Sequence, residues 1–174
     1  GNLSGTEPPL WWAAGKTLIT GIGSLKLSQW DAATGKRLRL LEGDTGPITA
    51  VAVSPQGTLL ATTSHDKTVR LWDLATGKLT RTFSEHGAAV LAVAFALDGR
   101  MIASTGADNK VLVWDPLTGK LLHTLTNGSG NVTALVWKPG TAPVLLSTLN
   151  TKLVPPATTP SKKVGLFSTS VPCN

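Results

Sequence analysis

Side-chain character alternates along Ile48-Thr49-Ala50-Val51-Ala52-Val53, which is the two-residue period of a half-buried strand. Ser54-Pro55-Gln56-Gly57 turns the chain, and Leu59-Leu60-Ala61-Thr62-Thr63-Ser64 resumes the strand pattern. His65-Asp66-Lys67 makes a tight connection into Thr68-Val69-Arg70-Leu71-Trp72, and Leu74-Ala75-Thr76-Gly77 turns into Lys78-Leu79-Thr80-Arg81-Thr82-Phe83. The stretch predicts a meander of four short strands. No segment longer than a turn carries apolar residues at i, i+3, i+4 and i+7, so the expectation is an all-β protein with essentially no helix.

The meander recurs. Trp30, Trp72 and Trp114 stand 42 residues apart, each followed by Asp (Asp31, Asp73, Asp115). Gly15, Gly57 and Gly99 keep the step, as do Ala33-Thr34-Gly35-Lys36, Ala75-Thr76-Gly77-Lys78 and Leu117-Thr118-Gly119-Lys120. A fixed period of this length means one structural unit written several times. Four-stranded units with Trp-Asp closing the third strand resemble the WD-repeat family, over about residues 1 to 140. That resemblance implies the antiparallel blades of a β-propeller: a degenerate blade at 1–42, blades at 43–84 and 85–126, and a partial one at 127–152. The proline-rich, polar stretch 153–174 reads as an extended or disordered tail. Closed propellers have about 4 to 8 blades, so the chain alone is expected to form a partial, open propeller.

The resemblance also implies a hydrogen-bonded tetrad of His, Ser or Thr, Asp and Trp in each blade. Register places His86, Ser104, Asp108 and Trp114 together in the third blade, the complete set. The second blade offers Thr62, Asp66 and Trp72, with Asp44 where the His belongs. Two ionised carboxylates cannot hydrogen-bond each other, so an open or partly solvated network is expected there. The first blade departs further, because Trp30 has Thr20 but Asn2 and Ser24 at the His and Asp positions.

Composition narrows the setting. Apolar residues make up 41% of 174, ordinary for a folded protein, and no apolar run approaches the ~18 residues of a membrane helix. The start Gly1-Asn2-Leu3-Ser4-Gly5 has no signal-peptide pattern, and its lack of an initiating Met suggests a fragment. One cysteine, Cys173, suits a reducing compartment. The expectation is an intracellular protein, cytoplasmic or nuclear, with no membrane association. Of the formal +6 charge, Lys152, Lys162 and Lys163 fall in a C-terminal stretch without acids.

Catalytic patterns dissolve on inspection. Gly15-Lys16-Thr17 resembles the end of a phosphate-binding loop, but Leu10 stands where the loop's first glycine is needed. Ser64-His65-Asp66 names a hydrolytic triad, yet strand neighbours point to alternate faces and cannot converge. No His, Cys, Asp and Glu set has metal-ligand spacing. No enzyme, metal or cofactor is therefore expected.

The WD-repeat resemblance implies partner docking at the start of the first strand and beside the structural Asp. Those positions are Pro47 and Thr49, Ala89 and Leu91, Asn131 and Thr133, with Gly23, His65 and Ala107 beside the Asp. Trp12 aligns with Ser54 and Ala96 and reads as a solvent-facing indole, either anchoring a partner or covering a neighbouring blade. Thr159, before Pro160, resembles a kinase substrate. The expected function is a non-enzymatic scaffold or adaptor that binds proteins within a larger complex. One alternative is an RNA-processing component that associates with nucleic acid through the basic tail; another is self-association of the open blade ends into a ring.

Overall fold

The computed structural model describes residues 11–13, 17–126, 132, 135–138 and 144–147. Asn131, Thr133, Thr159 and the stretch 153–174 lie outside these residues. All regular structure among the described residues is β. The first sheet comprises β1 (Trp11–Ala13), β2 (Thr17–Thr20), β3 (Lys26–Asp31) and β4 (Arg37–Glu42). The second comprises β5 (Ile48–Val53), β6 (Leu59–Ser64), β7 (Val69–Asp73) and β8 (Leu79–Phe83). The third comprises β9 (Val90–Phe95), β10 (Ile102–Gly106), β11 (Lys110–Trp114) and β12 (Leu121–Thr126), and β13 (Leu135–Lys138) pairs with β14 (Val144–Ser147) in a fourth. Every pairing is antiparallel between sequence neighbours.

Antiparallel succession gives each sheet two ends. The upper rim carries the turn between second and third strands and the link to the next sheet; the lower rim carries the other two hairpin turns. The Trp-Asp pair opens a lower turn. Asp31 Oδ1 accepts the amides of Ala33 and Thr34, Asp73 Oδ1 that of Thr76, and Asp115 Oδ1 those of Leu117 and Thr118. Gly35, Gly77 and Gly119 then take φ of 65°, 73° and 80°, the left-handed region that L side chains disfavour. One step before each of Trp30, Trp72 and Trp114, the pairing of third and fourth strands shifts register. Such irregularities increase the local twist.

The hydrophobic core lies between sheets. Ile19, Leu27 and Leu41 of the first sheet meet Ile48, Val51, Leu60, Trp72 and Leu74 of the second. Ala61, Val69, Leu71 and Phe83 leave the opposite face of the second sheet to meet Val90, Val93, Leu112 and Trp114 of the third. The Phe83 and Trp114 rings lie 4.7 Å apart, tilted at 41°. Val111, Val113 and Leu125 continue to Val132, Leu135 and Trp137. Adjacent residues such as Leu60 and Ala61 thus serve different cores, as the two-residue strand period requires.

Polar contacts tie the same joints at both rims. Above, Ile48 N donates to Ser24 O (2.9 Å), Thr49 Oγ1 to Val90 O (2.6 Å), and Thr105 Oγ1 to Val132 O (3.1 Å). Below, Arg39 lies so close to Gly77 that a Cβ there would meet its Cδ at 2.7 Å, and Arg81 donates to the carbonyl of Leu117 across the next joint. Gln56 Nε2 donates to Asp98 O at 3.2 Å.

One register differs from the sequence alignment. Val53 pairs with Leu60 and Phe95 with Ile102, but in the first sheet it is Trp12, not Trp11, that pairs with the equivalent Leu18. The first hairpin is one residue shorter, so Trp12 joins the cross-strand row of Leu18 and Trp30 instead of the turn position of Ser54 and Ala96. A one-residue slip changes the sheet face to which a strand position belongs.

Because each core is shared, Phe83→Ala should weaken two sheets together. We expect a loss of about 3 to 5 kcal/mol in urea unfolding. Native-state hydrogen exchange should show β6, β7, β10 and β11 losing protection in parallel; loss confined to β7 and β8 would contradict a core shared between sheets.

Candidate functional site

Beneath the upper rim of the third sheet four polar groups form one directed chain. Trp114 Nε1–H donates to Ser104 Oγ at 3.0 Å, and Ser104 Oγ lies 2.8 Å from His86 Nε2. His86 Nδ1 reaches Asp108 Oδ2 at 3.0 Å. Burial holds the His86 imidazole below its ordinary 6.5, although Asp108 pulls the other way. The neutral ring satisfies every partner: Ser104 O–H donates to Nε2, and Nδ1–H donates to the carboxylate. Burial pushes Asp108 up, but the amide of Gly87 (2.8 Å), His86 and the amide of Lys110 (3.2 Å) outweigh it and hold the carboxyl below 3.8.

Ser104, His86 and Asp108 have the connectivity of a nucleophile, base and orienter. Burial decides against that role: Ser104 is 0% and His86 4% exposed, and Trp114 at 0% covers the hydroxyl it donates to. A substrate has no approach to Oγ. The chain instead ties the link before β9 to the turn after β10, fixing two upper loops.

In the second sheet the network expected to be open or partly solvated is bridged by an arginine, with Asp66 left half-buried. Arg70, on β7 directly opposite Thr62, places Nη1 2.6 Å from Asp44 Oδ1 and 2.7 Å from Asp66 Oδ2, and Nη1 also donates to Thr68 Oγ1. Arg70 is 7% and Asp44 8% exposed, so that pair is buried, while Asp66 and Thr68 are half-buried beside it. Burial pushes Asp66 up, but Thr68, Arg70 and Thr45 together hold it well below the usual carboxylate range. Burial raises Asp44 above 3.8 against the opposing pull of Arg70. Asp66 repeats the loop contacts of Asp108, accepting from Thr45 N (3.0 Å) and Thr68 N (3.1 Å). Trp72 Nε1 donates to Thr62 Oγ1 at 3.1 Å. The sequence signal was an arginine in a strand whose third-sheet counterpart is the apolar Leu112, but its reach to both carboxylates depends on the fold.

A second difference explains why an imidazole is absent here. Gly106 lies against His86, where an added Cβ would stand 2.9 Å from Nδ1. Its counterpart is Ser64, whose Oγ donates to Gly46 O at 2.8 Å. Glycine accompanies His86; serine accompanies the arginine cluster. In the first sheet Trp30 Nε1 donates to Thr20 Oγ1 at 2.9 Å, while Ser24 Oγ lies 2.6 Å from the carbonyls of Gly21 and Lys26.

Above these networks the expected rim residues meet in pairs. His65 N donates to Pro47 O (3.0 Å), and Ala107 N to Ala89 O (2.8 Å). Pro47, His65 and Ala107 are exposed. Thr49 and Leu91 are half-buried, and the Thr49 hydroxyl is engaged with Thr63 (2.8 Å) as well as Val90 O. Gly23 N donates to Ile48 O at 2.7 Å in the neighbouring sheet. No group of three metal-ligating side chains occurs among the described residues.

Two outcomes are expected. The His86 network is complete above 6.5 and is lost as pH falls below it, because the unfolded chain then takes a proton that the folded state refuses; Asp108 adds loss below 3.8. The raised Asp44 acts in reverse: its contribution is fully present below 3.8 and is lost as pH rises through its higher folded value. Urea unfolding should show stability falling between about pH 7 and about pH 5, and His86→Gln should flatten that fall; the same fall in the variant would contradict the assignment. Asp44→His should cost roughly 3 to 5 kcal/mol by breaking a buried pair beside the Ser64 Cβ. Adding Ser64→Gly and Arg70→Leu should restore most of it in urea unfolding, whereas a triple variant no better than the single would show that the three positions are not coupled.

Residues 35–73 and 77–115 match the WD domain, G-beta repeat family. Each match starts in the lower turn of one sheet and closes on the Trp-Asp of the next. Eukaryotic translation initiation factor 3 subunit I of Bombyx mori is 37% identical over 62 residues, which is 36% of this chain and 19% of that protein. Periodic tryptophan protein 2 homolog of Schizosaccharomyces pombe is 40% identical over 48 residues, 28% of this chain and 6% of that protein. The chain spans about a fifth or less of the length of these curated relatives. Among solved structures, the RRP9 WD40 repeats superpose with a TM-score of 0.69 at 23% identity, covering 72% of this chain and 40% of that one. U3-55K gives 0.66 at 23%, covering 69% and 38%. With its repeated Trp-Asp turns and its cores between four-stranded sheets, the chain carries WD repeats at residues 35–73 and 77–115 and shares the fold of the solved WD40-repeat structures.

Proposed function

We propose that the chain is a non-enzymatic WD-repeat segment whose upper rim binds protein partners, acting as a scaffold or adaptor within a larger assembly. In this reading the blades at 43–84 and 85–126 carry the rim, flanked by a degenerate blade at 1–42 and a partial one at 127–152, and the protein works inside the cell. The observation that carries it is the repeated pair of loops, Pro47 with His65 and Ala89 with Ala107, each fixed from below by a buried network. Fixed loops lose little entropy on docking. The similarity to a protein named as an initiation-factor subunit supports a place in a multi-subunit complex.

Quantitative capture from lysate, comparing the wild type with His65→Glu and Ala107→Glu, tests the rim. Both side chains are exposed, so the variants should fold and lose a defined set of partners. An unchanged set with an intact β spectrum would sink the assignment. A second reading, nucleic-acid association, is favoured by the basic charge balance and is developed below for the opposite rim.

A further inference from the structure

The two rims differ in charge. At the upper rim Glu42, Asp44, Asp66, Glu85 and Asp108 stand among Lys26, Lys67, Arg70 and Lys110, and the ion pairs Lys26–Glu42, Arg70–Asp44, Arg70–Asp66 and His86–Asp108 lie there. The lower rim is built differently. Its Thr-Gly-Lys turns put exposed Lys36, Lys78 and Lys120 at equivalent places on three consecutive sheets, and Arg37 and Arg100 are exposed at the same end. The carboxylates nearby are half-buried or exposed and bond the backbone: Asp31, Asp73 and Asp115 accept turn amides, and Asp98 Oδ1 accepts from Arg100 N at 2.9 Å. No described carboxylate lies within ion-pair distance of Lys36, Lys78 or Lys120. Arg39 and Arg81 cross the joints at the same end, where their charges act on Asp73 and Asp115.

We propose that the lower rim binds the phosphodiester backbone of a single-stranded nucleic acid, with Lys36, Lys78 and Lys120 contacting phosphates along the strand. Cations repeated once per sheet suit a polymer carrying one negative charge per unit, and exposed lysines with no acid partner release counterions on binding. Trp72, Trp114 and Trp137 are buried, as are Phe83 and Phe95, so they form no stacking platform. The contact is to phosphate and carries no sequence preference. This deepens the nucleic-acid reading and is independent of the protein-binding rim at the other end.

The test is fluorescence anisotropy of the full chain with labelled oligouridylate. Three phosphate contacts predict affinity falling about fourfold for each doubling of salt. Lys36→Ala, Lys78→Ala and Lys120→Ala combined should lower low-salt affinity at least about tenfold and flatten the salt slope. Circular dichroism of the variant should be unchanged and capture by the upper rim intact. Removing residues 152–174 should leave the rim's share of binding in place. Oligothymidylate should bind comparably; discrimination beyond about tenfold would place the contact on sugar or base and overturn the proposal. So would wild-type affinity in the triple variant, loss of all binding on removal of 152–174, equal competition by polyglutamate, or no binding.

Discussion

A four-stranded antiparallel sheet has two faces and, in this chain, cannot cover either alone. Everything else follows from that constraint. Residues that alternate along β6 or β10 feed different cores, so each sheet is stable only through its neighbours. Contacts at the joints, an amide or a hydroxyl to a carbonyl above and, at two joints, an arginine against a turn below, fix how one sheet sits on the next.

Within a sheet the indole N–H of each Trp finds a hydroxyl on the neighbouring strand, whether Thr20, Thr62 or Ser104. What lies beyond the hydroxyl varies. In the third sheet a neutral imidazole links it to a carboxylate, and in the second an arginine from the facing strand bridges two carboxylates without that link. Both arrangements satisfy the loop amides through the same Asp position. They differ in response to acid, since an imidazole kept neutral by burial resists protonation whereas a guanidinium keeps its charge throughout. Loop position is thus maintained by two chemistries within one repeat.

The same architecture separates two surfaces. Buried networks stiffen the upper loops, where acids and bases are paired. At the lower rim the aspartates accept turn amides, and no described carboxylate lies at ion-pair distance from Lys36, Lys78 or Lys120. A single turn motif therefore does two things: its Asp closes the turn and its Lys faces water.

Period alone made the strands, the turns and the common register of His86, Ser104, Asp108 and Trp114 legible, because a repeat transfers position from one unit to the next without knowledge of contacts. Local rules failed where a side chain acted outside its own position. Nothing in the period marks Arg70, and only the closing of β7 on β6 brings its long side chain between Asp44 and Asp66. Trp12 changed rows because one hairpin is a residue shorter, a shift invisible to alignment by a fixed step. The sequence by itself determined the repeat, the all-β class and the turn chemistry, since these rest on backbone preference and nearest neighbours. Which charges are paired, which hydroxyls bridge sheets and which rim keeps its cations free were decided by tertiary structure, because those contacts join residues a whole repeat or half a repeat apart.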